Sequence, residues 1–141
     1  MKYIAYGSNL NLKQMARRCP TATVVGTGWV PNYQLTFRGV ATMEPMDGAR
    51  TPVAVWEIDK AAEVALDIYE GYPHLYRKET VKVECNGEVM DCMVYLMNTG
   101  RPSLPNIHYY RTIQEGYHDV GMDEGYLIGA IEDTERRIKE N

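Results

Sequence analysis

Phenylalanine is almost missing from this 141-residue chain: Phe37 is the only one, against eleven tyrosines. Much of the aromatic bulk therefore carries a hydroxyl, and each hydroxyl that is buried wants a partner. A basic surplus is missing too. Fifteen Lys and Arg stand against nineteen Asp and Glu, for a formal net charge of −4. That removes the electrostatic footprint on which phosphate-backbone binding depends, so no nucleic-acid partner is expected. The densest basic stretch, Arg136-Arg137-Ile138-Lys139, is flanked by acids and reads as the last solvated turn of a helix. No apolar run approaches the ~20 residues of a membrane-spanning helix. Met1-Lys2-Tyr3-Ile4-Ala5-Tyr6 is too quickly polar for a secretory leader. Three cysteines without a C-x-x-C pair fit a reducing compartment. The expectation is a cytoplasmic protein with no membrane partner. His74, His108 and His118 lack metal-ligand spacing, so no metal is expected. Repeats and low-complexity linkers are also lacking. Residues 1–141 are enough for one domain with its own core, and too few for two of comfortable size.

What is present reads as a mixture of strands and helices. Lys2 to Tyr6 forms a buried strand that Gly7-Ser8-Asn9 interrupts. Asn11 to Arg18 is a short helix capped by Asn9 or Asn11 and ended by Cys19-Pro20. Thr23 to Phe37, rich in Val, Thr, Trp and Tyr with glycines at 26 and 28, reads as strand, bend, strand. Residues 39–51, with Gly39, Pro45, Asp47 and Gly48, read as a mobile loop, a candidate lid. Pro52 to Ile58 is a strand, and Asp59 caps a helix over Lys60 to Tyr69. Asn86-Gly87 predicts a two-residue hairpin turn joining Val81–Glu84 to Val89–Leu96. In that register Val83 faces Met90, Val81 faces Cys92, and Lys82 faces Asp91 as a cross-strand ion pair. Cys85 and Cys92 are then not opposed. Pro105 to Asp119 and Asp123 to Lys139 are helices separated around Gly121. The order is no regular βαβ alternation, so the class is α+β. Bent, glycine-bearing strands suggest a small mixed, partly closed β-barrel flanked by helices.

Two segments carry candidate chemistry. In Tyr6-Gly7-Ser8-Asn9-Leu10 a glycine permits close backbone approach by a ligand, and the following N–H groups can hold a carboxylate or an oxyanion. The same residues also fit an ordinary tight turn. No G-x-x-x-x-G-K accompanies them, and Ser8 and Cys19 lack triad partners. In Leu66-Asp67-Ile68-Tyr69-Glu70-Gly71-Tyr72-Pro73, Glu70 falls at the end of a helix, where the backbone dipole disfavours a negative charge. The neighbours Tyr69, Tyr72 and Tyr76 add desolvation, and both effects raise a carboxyl pKa. A carboxyl raised toward neutrality can accept and return a proton. The residues alone leave a solvated helix-end glutamate equally open. Asp67 and Glu70 share a helical face, yet nothing else in the chain supports a carboxylate pair for glycoside hydrolysis.

Together these blocks resemble the γ-glutamylcyclotransferase-like family. The resemblance lies in Tyr6-Gly7-Ser8-Asn9-Leu10, in Leu66-Asp67 followed by Glu70-Gly71 and Tyr76, and in Pro105, Tyr109, Ile113, Gly116 and Gly121, over residues 3 to about 122. It implies a small α+β barrel with the Y-G-S-N loop and Glu70 facing one cavity. Glu70 is then the catalytic residue. The backbone of Gly7, Ser8, Asn9 and Leu10 holds the γ-glutamyl moiety, and Tyr6, Tyr76 and Tyr109 line the pocket. The implied substrate is a small γ-glutamyl amide or amine, cyclised to 5-oxoproline without metal or cofactor. The rival is a module that keeps the pocket and only binds a small carboxylate. Pro102-Ser103 precedes a longer segment than the family's usual P-S-x-x-Y, which loosens the placement of Tyr109.

Overall fold

The computed structural model describes residues 1–140. Five strands form: β1 (Lys2–Ala5), β2 (Thr23–Phe37), β3 (Ala41–Glu57), β4 (Tyr76–Cys85) and β5 (Glu88–Met97). Four α-helices accompany them: α1 (Leu12–Arg18), α2 (Lys60–Tyr69), α3 (Ile107–Val120) and α4 (Gly125–Glu140). The strands close into a barrel in the order β1-β3-β2-β4-β5. Pairing is antiparallel except at the closure, where β5 returns beside β1 in parallel with Tyr3 opposite Met93. The α+β class is as expected. The mixed barrel closes in that strand order, and the β2–β3 hairpin runs on beyond its short contacts with β4 and β1. No helix among the described residues is long and apolar enough to cross a membrane.

The β4–β5 hairpin follows its turn chemistry. Asn86 and Gly87 both take positive φ, 53° and 78°, the conformation of a two-residue hairpin turn. Val83 pairs with Met90, Val81 with Cys92, and Lys82 with Asp91. That last pair closes at 2.7 Å on the outer face. Cys85 stands opposite Glu88, and all three cysteines are free thiols. Beyond the expected span, β4 extends back to Tyr76 and carries that side chain to the barrel mouth.

The segment 39–51 corrects the expectation of a mobile loop or lid. From Ala41 onward it belongs to β3, seventeen residues long, paired with β2 from Phe37↔Ala41 to Thr23↔Glu57. The middle of this strand, residues 45–48, is exposed, and its Pro45, Asp47 and Gly48 imitate a loop. Gly48, at φ 84°, sits at an irregularity rather than in a loop. Its N–H donates to Asn32 Oδ1 at 3.0 Å, beside the register shift between Pro31 and Tyr33. Further along, Thr51 to Trp56 are buried without interruption. Successive strand residues point to opposite faces, so both faces of β3 are covered there, one by the barrel interior and one by packed elements. Where β2 meets β4, Gly28 lies against Cys85. Any Cβ at Gly28 would stand on the Glu84 carbonyl oxygen, so glycine sets how tightly that seam closes.

Two helix starts bear directly on the site. Asn11, not Asn9, caps α1, its side chain accepting the Gln14 N–H at 3.1 Å. Asp59 caps α2 by accepting from Ala62 at 2.8 Å. Asn9 is thereby free for another role, and α2 is set to end at Glu70.

Candidate active site

At the end of β1 the chain passes Tyr6 and Gly7 into a single 3-10 turn, Ser8–Leu10. The Leu10 N–H donates to the Gly7 carbonyl at 3.0 Å, and the Asn11 N–H to that of Ser8 at 3.1 Å. The amides that open such a turn have no acceptor within it. Gly7, Ser8 and Asn9 are all buried. Facing them, α2 finishes at Glu70, whose own N–H donates to the Leu66 carbonyl at 2.8 Å. The Glu70 side chain reaches toward the turn. Asn9 Nδ2 lies 2.8 Å from the Tyr3 hydroxyl and 3.4 Å from Glu70 Oε1.

Between turn and carboxyl lies a cavity of about 230 Å³. Six of the eleven tyrosines line it: Tyr3, Tyr6, Tyr69, Tyr76, Tyr95 and Tyr109. Every one of those hydroxyls is engaged. Tyr6 donates to the Tyr95 carbonyl at 2.6 Å, and Tyr95 donates to Asp67 Oδ1 at 2.6 Å. Tyr69 shares a hydrogen with Ser8 Oγ at 2.7 Å, and Tyr3 accepts from Asn9. The last two grip one residue of β3. Tyr76 donates to the Ala41 carbonyl at 2.7 Å, and Tyr109 accepts the Ala41 N–H at 3.0 Å. The shortage of phenylalanine thus has a local reason. A wall of partnered hydroxyls keeps its shape while remaining apolar enough to dehydrate what it encloses.

Glu70 is what that wall dehydrates. Burial pushes its carboxyl up to about 7, with the Arg18 guanidinium pulling in the opposite direction. Removal from water is the leading cause, ahead of anything owed to the helix end. Burial also drives the hydroxyls of Tyr3, Tyr6, Tyr76 and Tyr109 well above their ordinary range. They stay neutral while Glu70 titrates.

Seven of the eight residues singled out from the sequence line this one cavity: Tyr6, Gly7, Ser8, Asn9, Glu70, Tyr76 and Tyr109. Leu10 does not. It is fully buried in the core, and its N–H is engaged by Gly7. Asp67 does not pair with Glu70. It turns to the barrel wall, accepting from Tyr95 and bound to Lys78 at 2.9 Å. Lys78 also holds Glu63 at 2.8 Å, which pins α2 to β4. Tyr69, expected beside Glu70, lines the cavity, whereas Tyr72 does not; sequence reasoning missed Tyr3 and Tyr95, for which the excess of tyrosine was the only available signal. It also missed Val40 and Ala41, which lay in the supposed loop.

A buried carboxyl poised near neutrality, opposite hydrogen-bond donors in a small cavity, is the equipment of an enzyme that moves protons on a small molecule. The chain belongs to the γ-glutamyl cyclotransferase, AIG2-like family, whose model matches residues 3–118. It is 28% identical over 153 aligned positions to the γ-glutamylcyclotransferase of Mus musculus, covering 97% of this chain and 81% of that protein. The Homo sapiens γ-glutamylcyclotransferase is 28% identical over 146 aligned positions, covering 92% of this chain and 78% of its own. Among solved structures, one described as a γ-glutamyl cyclotransferase superposes with a TM-score of 0.83 at 25% identity, over 100% of this chain and 99% of that one. The chain is a cyclotransferase-like enzyme.

Proposed function

We propose that the chain cyclises a γ-glutamyl amide or amine to 5-oxoproline and releases the amine, with Glu70 as the group that takes and returns the proton. The observation that carries this reading is the Glu70 carboxyl, held near neutrality inside a cavity walled by the Gly7–Asn9 turn. The names borne by the family and by its mammalian relatives support the substrate class.

The α-amine of a γ-glutamyl group and its γ-carbonyl belong to one molecule. Folding that molecule within a small cavity brings nucleophile and electrophile together, and this alone can replace a large part of the activation barrier. Glu70 accepts a proton from the α-ammonium. The freed nitrogen attacks the γ-carbonyl carbon, and a five-membered ring closes over a tetrahedral oxyanion. Glu70 then delivers its proton to the departing nitrogen, the old C–N bond breaks, the carbonyl reforms, and Glu70 takes the second proton from the ring nitrogen and passes it to the released amine, which leaves as an ammonium. No water or other reactant is consumed, and Glu70 ends as it began. Amide hydrogens of the turn serve the negatively charged oxygens of the substrate. A carboxyl near 7 suits both halves of this exchange, since each protonation state is accessible at neutral pH.

The test is a panel of γ-glutamyl amides and amines incubated with the protein, with 5-oxoproline and released amine quantified together. Equimolar formation of both supports the reading, and binding without turnover across the panel overturns it. A pH dependence is also expected. Because the carboxylate form starts the reaction, kcat/KM falls about tenfold per pH unit once the pH drops below about 7. An acidic limb near the ordinary glutamate value of 4.5 would remove Glu70 from the proton transfer.

A further inference from the structure

Asn9 can bind the ionised Glu70 carboxyl in only one of its two amide orientations. With Nδ2 inward it offers a hydrogen to the carboxyl. Flipped, it would set its oxygen against the carboxylate oxygens. What selects the orientation lies behind it. Arg18, in the last turn of α1, donates from one terminal nitrogen to Asn9 Oδ1 and from the other to Gln14 Oε1 at 3.0 Å. A guanidinium only donates, so it admits the amide oxygen and rejects the amide nitrogen. Its flat face rests 3.4 Å from the centroid of the Tyr69 ring, which anchors the group from a third side. Arg18 is thus held by α1, by α2 and by the turn at once.

The geometry points to Arg18 as a positioning residue of this site: it binds the Asn9 amide oxygen, turns the Asn9 amide nitrogen toward Tyr3 and Glu70, and sets a fixed positive charge behind that carboxyl. The role in turnover rests on the reading of Glu70 given above. The other groups facing Glu70 are neutral tyrosines: Tyr3 from β1, Tyr76 from β4, Tyr95 from β5, Tyr109 from α3 and Tyr6 beside the turn. Against that background Arg18 is the charge that opposes burial and keeps part of the carboxyl ionised.

The experiment compares wild type with Arg18→Gln, Arg18→Met and Arg18→Lys. The Glu70 side-chain carboxyl is followed by ¹³C NMR against pH without substrate, and kcat/KM for a γ-glutamyl amide is measured against pH. Loss of a nearby opposite charge moves a carboxyl by about one pH unit or more. Both neutral variants are therefore expected to raise the NMR midpoint and the acidic limb together by about one pH unit. Activity at pH 7 falls correspondingly. Arg18→Lys keeps the charge and holds the midpoint close to wild type, while its lost fork leaves turnover below wild type. A folded neutral variant with unmoved midpoint and limb overturns the proposal, provided Glu70→Gln is inactive in the same assay. If Glu70→Gln retains full 5-oxoproline release, the functional reading falls instead, and the role of Arg18 in turnover with it. If neither neutral variant folds by circular dichroism, Arg18 is a structural residue and the proposal is overturned.

Discussion

Glu70→Gln is expected to lose 5-oxoproline release and, above neutral pH, to be the more stable protein. Glutamine matches the size of the glutamate side chain and can still accept the Asn9 hydrogen, but it cannot carry a proton between two nitrogens. General acid–base catalysis of this kind contributes about a hundredfold to ten-thousandfold, and a loss of that order is expected with the fold intact. The stability gain follows from the same burial. The carboxyl moves from 4.5 to about 7 on folding. At about 1.4 kcal/mol per pH unit, that amounts to roughly 3 kcal/mol of differential interaction. The sign is fixed by which state holds the proton more tightly. Between pH 4.5 and 7 the folded protein does, so wild-type stability falls as pH rises through that window. Glutamine carries no charge to bury and escapes the fall. Melting curves at pH 4 should nearly coincide, while at pH 8.5 the variant should unfold at the higher temperature. Wild-type turnover in the variant would dismiss Glu70 as the proton carrier. A constant offset between the two melting curves at every pH would dismiss the buried, raised carboxyl.

The second large effect is expected from Gly116→Ala, and its sign is opposite to what helix propensity suggests. Gly116 lies within α3, where alanine is favoured over glycine by about 1 kcal/mol. A Cβ there would stand 2.7 Å from Asn11 N, Leu10 C and Leu10 Cβ. Two of those atoms are backbone and cannot rotate aside. Overpacking of this sort costs about 1–3 kcal/mol and occasionally more, which outweighs the propensity gain. The obstruction falls at the end of the 3-10 turn, so its relief displaces either that turn or α3, which carries Tyr109 of the cavity wall. A lower urea midpoint together with reduced turnover is the expected outcome. Gly129→Ala, in α4 with no atom near its added carbon, serves as the control and should be neutral or slightly stabilising. An unchanged urea midpoint and turnover in Gly116→Ala would mean that the helix and the turn are not in register-defining contact.

Much of this architecture was legible because local signals agreed. The β4–β5 hairpin announced itself through Asn86-Gly87, alternating Val and Met, and the Lys82–Asp91 charge pair, and each of these holds in three dimensions. Helix α2 was marked at its start by Asp59 and at its end by Gly71. Glu70 and the Y-G-S-N turn were findable from the residues, but that they face one cavity came only from the family resemblance. They stand sixty-odd positions apart, and only barrel closure joins them. The β2–β3 arm was misread for a definite reason. A strand whose middle lies in water loses its apolar alternation there, and Gly48 with Asn32 forms an irregularity that imitates a loop. Tyr95 gave no sign of its position, since the same alternating pattern serves a tyrosine facing a cavity and one facing packed side chains. Arg18 likewise looked like an ordinary cation at the C-terminal end of a helix, where the dipole welcomes one.

The double grip of Tyr76 and Tyr109 on Ala41 makes one residue's backbone a gauge for the whole pocket. Its hydrogen points at a hydroxyl borne by α3, and its oxygen is held by a residue of β4. Solvent deuterium can replace that hydrogen only when the α3 contact lets go. The Ala41 amide should therefore exchange at the pace at which the helix detaches from the barrel, and a ligand that bridges turn and carboxyl should slow it. An isotope label on a single backbone amide would then time the breathing of the cavity.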